Sequence, residues 1–137
     1  MIIILCLEDS NGMMFNRRRL SRDREITKDL SVYVGEKPVF MNEYSAALFP
    51  PEAGLQLQVS EDFLEQARPG DFCFVENVPL LPWEEQIEKI IIYKWNRDYP
   101  ADLYFDIPLE EHGWKLSESK EFAGYSHEKI TREIYVK

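Results

Sequence analysis

A basic segment near the amino terminus contains the residues best suited to bind a charged ligand. Arg17–Arg19 and Arg22 supply four guanidinium groups, and Asp23 adds a carboxylate. The forked donors of arginine match the oxygens of carboxylates and phosphates. Ile2–Leu7, an apolar run typical of a strand buried on both faces, precedes this segment. Because ligands bind beyond the carboxyl ends of strands in open α/β sheets, the sequence predicts a binding loop here.

The overall charge of the chain is opposite in sign to this segment. The 137 residues include 16 Lys or Arg and 25 Asp or Glu, for a formal net charge of −9 at pH 7. Nucleic acid and anionic membranes are therefore not expected as partners. Two interpretations of the arginines stay open: an anion clamp, or a solvated loop whose arginines pair with Glu8, Asp9 and Asp23.

Length and cysteine content predict the class of protein. A chain of 137 residues is expected to form one domain, spanning residues 1–137. Cys6 and Cys73 lie in apolar segments, which predicts buried, unreactive thiols in a reducing compartment. His112 and His127 lie in polar turns and are expected to be solvated, and no zinc-site spacing occurs. The apolar run at the amino terminus lacks a basic flank and is expected to be a strand rather than a signal peptide. The sequence thus predicts a cytoplasmic protein and identifies no metal or cofactor.

Strand and helix patterns alternate first, and a pair of strands comes last. A helix is predicted from Asp23 to about Val34, with Gly35 as its C-cap. Ser21 is an alternative N-cap, and capping by Ser21 would leave Asp23 free for a ligand. The predicted strands are Ile2–Leu7, Val39–Met41, Leu55–Ser60, Phe72–Val75, Ile90–Trp95, Trp114–Ser119 and Lys129–Val136, and the other predicted helices are Tyr44–Phe49, Asp62–Ala67 and Pro82–Lys89. This order predicts a mostly parallel sheet with an antiparallel end.

Several segments, in this order, resemble the dihydrofolate reductase family over nearly the whole chain. After the first strand, family members have a loop over the active site, here through Asn16, and a helix start whose acidic residue binds the pterin, here Asp23. Lys37–Met41 is similar to the family's Lys-Pro-Val-aliphatic-Met strand. Ala101–Phe105, Trp114 and the last two strands stand where members have Gly-Asp-x-x-Phe-Pro, a tryptophan and a final strand pair. The resemblance implies a dihydrofolate-reductase-like α/β fold, with a mostly parallel central sheet and an antiparallel C-terminal strand pair.

The segments that bind NADPH in this family are changed. Members continue after the methionine with Gly-Arg-x-Thr, whose arginine and helix amino terminus hold cofactor phosphates. This chain has Asn42–Ser45 there, with Glu43 in place of the arginine, and a glutamate repels a phosphate. The family's Gly-Gly pair, where the bare backbone approaches the pyrophosphate, is replaced by Glu76 and Asn77. The resemblance therefore does not extend to dinucleotide binding in the manner of the family.

The substrate side is changed less. Asp23 could accept two parallel hydrogen bonds from an amidine-like edge, but Arg22 and Arg24 beside it are expected to lower its pKa. A proton donor benefits from a raised pKa, so a simple pterin reductase is not favoured. Tyr93 takes the place of a threonine that often assists the acid. The expected ligand-binding residues are Asn16, Arg18, Arg22, Asp23, Asn42 and Tyr93.

Three functional hypotheses follow. The first is a divergent dihydrofolate-reductase-like protein that binds a small molecule, anionic or pterin-like, without standard NADPH-dependent reductase activity. In it, the arginines neutralise an anionic group while Asp23 binds an amino or amidine-like edge. The second is an active NADPH-dependent reductase of a pterin- or pyrimidine-like substrate with a rebuilt cofactor site. The third is a protein-interaction module whose partner contacts the acidic surface.

Overall fold

The structure is a computed structural model that describes residues 1–19 and 23–137. The strands are β1 (Ile2–Leu7), β2 (Gly12–Phe15), β3 (Arg18–Arg19), β4 (Val39–Met41), β5 (Leu57–Val59), β6 (Phe72–Phe74), β7 (Lys89–Lys94), β8 (Leu103–Tyr104), β9 (Lys115–Phe122) and β10 (Ile130–Val136). The α-helices are α1 (Arg24–Val34), α2 (Glu43–Ala46) and α3 (Phe63–Gln66), and 3-10 helices occupy Pro51–Ala53 and Leu81–Gln86.

The larger sheet has the strand order β5-β4-β6-β1-β7-β10-β9. The strands from β5 to β7 run parallel, whereas β10 pairs antiparallel with β7 and with β9. β1 lies inside the sheet, with Ile2 aligned to Phe72 of β6 and to Lys89 of β7. The predicted fold class, a mostly parallel sheet with an antiparallel C-terminal strand pair, is confirmed.

Side chains of β1 alternate between two hydrophobic cores, as the period of a strand requires. Ile4 belongs to the core beneath α1, whereas Ile3 belongs to the core on the other face. α1 contributes Ile26, Leu30 and Val34, which are four residues apart and therefore share one face of the helix. Gly35 is its C-cap, as predicted, with a φ of 62° that favours glycine.

A second, small sheet with the order β3-β2-β8 was not predicted. The chain turns between β2 and β3 at Asn16 and Arg17, whose φ angles of 52° and 62° are both left-handed. Two such residues form the turn that matches the twist of a tight hairpin. The backbone N–H of Asn16 donates to Asp102 (2.9 Å), which ties this hairpin to the segment before β8. The loop predicted over the active site is thus an ordered β-hairpin over the residues described.

Some predicted boundaries differ from those observed. The helix predicted over Pro82–Lys89 is a 3-10 helix that ends at Gln86, since the chain must become extended before β7 begins at Lys89. β9 extends to Phe122 rather than ending at Ser119. No helix among the residues described is long and apolar enough to cross a membrane.

Candidate functional site

The candidate site lies at the edge of the large sheet where the parallel strands have their carboxyl ends. α1 and α2 follow β1 and β4 in the chain and begin at this edge, as crossover helices between parallel strands do. Their N-caps, Asp23 and Asn42, therefore lie at the edge where open α/β sheets bind ligands. The β2–β3 hairpin lies against the same edge.

The Asp23 carboxylate is engaged by the protein itself. One oxygen accepts hydrogen bonds from the backbone N–H groups of Glu25 (2.9 Å) and Tyr125 (2.9 Å). The other accepts from the N–H of Ser126 (2.8 Å) and lies 3.1 Å from Nδ1 of His127. Asp23 thus caps α1, which corrects the alternative in which capping by Ser21 leaves it free. Ser21 lies outside the residues described.

The backbone N–H groups of Tyr125 and Ser126 are neighbours in the chain, and each donates to a different Asp23 oxygen. Two adjacent donors facing the two oxygens of one carboxylate resemble the amidine edge that such an acid is suited to bind. The β9–β10 loop therefore occupies the hydrogen-bonding face of Asp23 that a ligand was expected to use.

The pKa of Asp23 is low for a reason other than the one predicted. Burial opposes ionisation, but hydrogen bonds from Tyr125, His127, Ser126 and Glu25 outweigh it and lower the pKa to about 2. The predicted direction was right, but the predicted cause, adjacent arginines, is not among the causes. Asp23 is ionised throughout the physiological pH range.

His127 is buried, in contrast to the solvated position predicted for it. Its ring stacks on Trp95 with a centroid separation of 4.4 Å, and its Nε2 lies 2.9 Å from the Tyr99 hydroxyl. Its exposed fraction is 3%. The local sequence signalled only a turn, because the partner Asp23 is 104 positions away.

Tyr93 also lies elsewhere than expected. It is fully buried in the core beneath α1, and its hydroxyl donates to Asp29 at 2.7 Å. Arg132 donates to the same Asp29 oxygen, also at 2.7 Å. Burial and the hydrogen bond to Asp29 raise the Tyr93 pKa. The assignment of Tyr93 to the ligand cleft is therefore corrected, since its hydroxyl serves the packing of α1.

Arg19, rather than Arg18, contacts the site. Its Nε and Nη2 donate to the two oxygens of Glu76 (2.9 and 3.1 Å), and Nη2 also donates to the backbone carbonyl of Tyr44 (3.0 Å). Its guanidinium also lies over the Tyr44 ring, 4.5 Å from the centroid. Arg18 is exposed and pairs across the hairpin with Phe15. Arg22 lies outside the residues described. Adjacent residues of a strand face opposite sides, so predicting β3 would have distinguished Arg18 from Arg19.

Asn42 lies at the site as predicted, with a structural role. Its Oδ1 accepts from the N–H of Ser45 (3.0 Å) and caps α2, while its Nδ2 donates to Oδ1 of Asn77 (2.8 Å). The carboxylate of Glu61 accepts from the N–H of Glu43 (3.0 Å). The amino terminus of α2 is thus occupied by side chains, one of them anionic.

These contacts do not fit NADPH bound in the manner of the dihydrofolate reductase family. Glu43 stands where the family has its phosphate-binding arginine, and Glu61 lies against the start of the same helix. Ser45 is 1% exposed, and its buried hydroxyl has no hydrogen-bond partner among the residues described. Glu76, paired with Arg19, stands where the family has bare glycine backbone, so a side chain replaces the close backbone approach to the pyrophosphate.

An inner cavity next to Asp23 is too small for a metabolite. Its volume is about 30 Å³. A buried water needs roughly 10–15 Å³ by this measure, whereas ligand pockets span roughly 300–1,000 Å³. The residues around it include Cys6, Asp23, Ile26, Phe49, Phe74 and Trp95. The place where the resemblance predicts a pterin is therefore closed.

A larger, outer cleft lies between the β2–β3 hairpin, α2 and the end of β6. Its volume is about 480 Å³. It is lined by Met14, Arg17, Tyr44, Asn77, Asp102 and Leu103. Asn16 and Asn42, two of the predicted site residues, hydrogen-bond to Asp102 and Asn77 of its lining. The run of arginines indicated Arg17 as a candidate binding residue. No local feature of the sequence indicated that Asp102 would line the same cleft.

A wider groove of about 900 Å³ lies beyond β7, beside the β9–β10 loop. Its lining carries side chains of both charges, Arg97 and Lys129 beside Glu121 and Glu128. Lys129 forms an ion pair with Glu121 at 3.6 Å. Asn96 in its wall is held by the carbonyl of Lys129 and the hydroxyl of Thr131. Across residues 1–19 and 23–137, no group of three or more His, Cys, Asp or Glu side chains is arranged to hold a metal ion.

Comparisons with known proteins agree on the fold. No protein-family model matches the sequence, and no curated protein matches it. Among solved structures, the chain is similar to a dihydrofolate reductase from Enterococcus faecalis complexed with NADP(H) and RAB-propyl, with a TM-score of 0.68. The match covers 98% of this chain and 94% of the other at 8% sequence identity. At this identity the likeness shows the fold alone, and the chain has a dihydrofolate-reductase-like fold.

Proposed function

We propose that this protein binds a small organic anion in the outer cleft and does not catalyse NADPH-dependent reduction. The observation that carries the proposal is the outer cleft itself, in which Arg17 of the hairpin and Asn77 beyond β6 line one space of about 480 Å³. That volume is within the range of small-molecule sites, roughly 300–1,000 Å³. The proposal keeps the ligand class expected from the sequence but moves it away from Asp23.

The lining defines the chemistry of the ligand. Arg17 offers a forked cation for a carboxylate or phosphate group. The Asn77 carbonyl oxygen accepts from Asn42, which orients its NH₂ group as a further donor. Asp102 holds the hairpin through one oxygen, and the other suits an amino or amidine-like edge, the role first assigned to Asp23. Met14 and Leu103 add apolar surface, which suits the body of a pterin-like ligand that also carries an anionic group.

The state of Asp23 argues against NADPH-dependent reduction in this protein. Hydride transfer to a pterin benefits from a group that can donate a proton near neutral pH. Asp23 has a pKa of about 2, and both of its oxygens already accept hydrogen bonds from the protein. An ionised, fully engaged carboxylate is a poor proton donor. The inner cavity beside it also has no room for a pterin.

The negatively charged side chains at this edge of the sheet argue against the binding of NADPH. Glu43, Glu61 and Glu76 lie around the positions that bind phosphates in the family, and among the residues described Glu76 alone has a salt-bridge partner, Arg19. Phosphates there would be repelled at short range. Nucleic acid and membrane surfaces are likewise not expected as partners, given the net charge of −9.

Thermal unfolding with candidate ligands tests the proposal. The probes are aromatic and heteroaromatic carboxylates, folate, dihydrofolate and NADPH, since a ligand that binds only the folded state raises the unfolding temperature. We expect at least one carboxylate to stabilise the wild type and the Arg18→Ala variant, but not Arg17→Ala. Arg18→Ala is the matched control because Arg18 is exposed and does not line the outer cleft.

Two results would overturn the proposal in different ways. Stabilisation by NADPH, followed by its oxidation in the presence of dihydrofolate, would establish the reductase alternative. Equal stabilisation of Arg17→Ala and wild type by every active probe would remove the outer cleft as the binding site.

A further inference from the structure

β9 is a long strand at the open edge of the large sheet. It spans Lys115–Phe122, and its first seven residues are exposed. Among the residues described, β10 is its partner on one side and no strand pairs with its other side. An exposed edge strand presents a row of unpaired backbone N–H and C=O groups to another chain. The opposite edge of the sheet, β5, is only three residues long.

Charged side chains on β9 form a regular pattern on the face that carries α1. Glu118 lies 3.2 Å from Arg132 of β10, and Lys120 lies 3.5 Å from Asp29 of α1. Phe122 lies on the same face, with its ring against Tyr93. A negative and a positive side chain are therefore two residues apart on one face, each next to an opposite charge in its own chain.

We propose that β9 pairs antiparallel with β9 of a second copy of this chain, about a two-fold axis at Ser119. In this register Glu118 lies opposite the partner's Lys120, and Lys120 lies opposite the partner's Glu118. Opposite charges that face each other across an antiparallel pair are stabilising. The charges then alternate in sign without a break, from Arg132 to Glu118, and on to Lys120 of the partner subunit and the partner's Asp29.

Neighbouring registers are less favourable. A shift of two residues in one direction places Lys120 opposite itself, and a shift in the other direction places Glu118 opposite itself. A one-residue shift places Glu118 opposite Glu121 or leaves it without a charged neighbour. Like charges directly opposite each other are destabilising, so the charge pattern of β9 specifies one register.

An irregularity at the beginning of β9 limits the paired segment. The register with β10 shifts between Ile134 and Tyr135, which leaves Ser117 as an extra residue in β9. Such a bulge bends the edge and interrupts regular pairing. In the register centred on Ser119, regular pairing is therefore limited to Glu118–Lys120 of each copy. Each copy offers one such edge, so the two-fold pairing closes on itself as a dimer instead of growing into a filament.

Sedimentation of the full chain tests the proposal. We expect wild-type protein to show a concentration-dependent equilibrium between monomer and dimer. Lys120→Glu places two glutamates opposite each other and should weaken association at least tenfold. Glu118→Lys alone should weaken association in the same way, because it places two lysines opposite each other. An equimolar mixture of the two single variants restores opposite charges across the interface and should associate. Association of the mixture separates the interface from a folding defect, because mixing leaves the contacts with Asp29 and Arg132 inside each variant unchanged.

Cysteine cross-linking tests the register. In the proposed dimer Ser119 faces its own copy, so Ser119→Cys should form an intermolecular disulfide on mild oxidation. Ser117→Cys on the same strand is the matched control and should not, since Ser117 lies at the bulge, outside the paired residues and away from its own copy. A wild type that stays monomeric at the highest soluble concentration would overturn the proposal. So would a dimer that is insensitive to Lys120→Glu and does not cross-link at residue 119.

Discussion

Nδ1 of His127 lies 3.1 Å from the Asp23 carboxylate, and the two side chains are completely shielded from solvent. This contact joins the amino terminus of α1 to the β9–β10 loop. In the family that this fold resembles, an acid at this helix start is expected to bind a substrate. Here the Asp23 carboxylate accepts hydrogen bonds from Tyr125 and Ser126 of the same chain, and it therefore holds the β9–β10 loop against α1.

The ionisation of Asp23 should make stability depend on pH. Its pKa is about 2 in the folded protein, against an ordinary value of 3.8. A lowered pKa stabilises the fold above about pH 4, and this stabilisation is lost as the pH falls from 4 through 2. The shift corresponds to about 2 kcal/mol. We expect the difference in unfolding free energy between wild type and Asp23→Asn to shrink by about this amount between pH 5 and 2, as measured by urea unfolding.

A control variant separates this effect from general acid destabilisation. Val32→Ala, at a residue of α1 that is 82% exposed, removes no titratable group, so its difference from wild type should stay nearly constant over the same range. If the gap between wild type and Asp23→Asn were also constant, the ionised carboxylate would not be what stabilises this junction.

Gly124 should be intolerant of any side chain. A Cβ at this position would lie 2.8 Å from the Asp23 carboxylate and 2.6 Å from the backbone carbonyl of His127. Both are closer than van der Waals contact, and the carbonyl cannot move without displacing the loop. We expect Gly124→Ala to lower the unfolding free energy by about 2 kcal/mol, in the range of strained substitutions. Ala123→Ser, at the exposed neighbouring residue, should change it by less than about 0.5 kcal/mol.

The strands of the large sheet could be predicted because each is a short apolar or alternating run of neighbouring residues. β4 was predicted with the observed bounds, Val39–Met41, since an apolar run after Lys-Pro has few alternatives. The small sheet was missed. Its hairpin turns at Asn16-Arg17, whereas the recognisable signal for such a turn has glycine second.

The candidate site was less predictable than the fold because its contacts are distant in sequence. Arg19 pairs with Glu76, 57 positions away, and Asn42 pairs with Asn77, 35 positions away. The sequence identified residue types and predicted that Asp23 and Asn42 lie beyond the carboxyl ends of the strands, where they are the N-caps of α1 and α2. It could not show that Arg19 would pair with Glu76. That contact depends on the face of β3 from which Arg19 projects, and the β2–β3 hairpin was not predicted.

The Arg19–Glu76 pair should be strongly coupled. The side chains are 15% and 10% exposed, and two hydrogen bonds join them. Removing one partner leaves the other charge largely buried without its counter-charge. This should lower the free energy of unfolding by about 2–3 kcal/mol. We expect Arg19→Ala and Glu76→Ala each to show this loss in urea unfolding, and the double variant to lose much less than the sum.

The more exposed pair Lys28–Glu25 on α1, with side chains 72% and 32% exposed, provides the comparison. The same double-mutant cycle there should give a coupling energy below about 0.5 kcal/mol. Coupling of that size at Arg19–Glu76 would mean that the hairpin is held to the sheet edge by apolar contacts instead.

Tyr93→Phe should affect stability and leave ligand binding unchanged. The substitution removes the hydroxyl that donates to Asp29 at 2.7 Å, while Arg132 still donates to that carboxylate. We expect a loss of about 1 kcal/mol, typical of one hydrogen bond. The thermal shift produced by a cleft-binding carboxylate should equal that of wild type. A reduced shift would return Tyr93 to the ligand site.

Glycine substitutions at Arg17 and Arg18 should have opposite effects on stability. Arg17 has a φ of 62°, which glycine adopts without strain, so Arg17→Gly should raise the unfolding free energy by about 1 kcal/mol. Arg18 lies in β3, where glycine lowers stability by roughly 0.5–1 kcal/mol. Arg17→Gly should also abolish stabilisation by an anionic ligand of the outer cleft, whereas Arg18→Gly should retain it. An arginine kept in a strained turn position is what a binding role predicts, since strain of this kind persists where a side chain is needed. If Arg17→Gly were more stable and still bound the ligand fully, the arginine would have no role in the cleft.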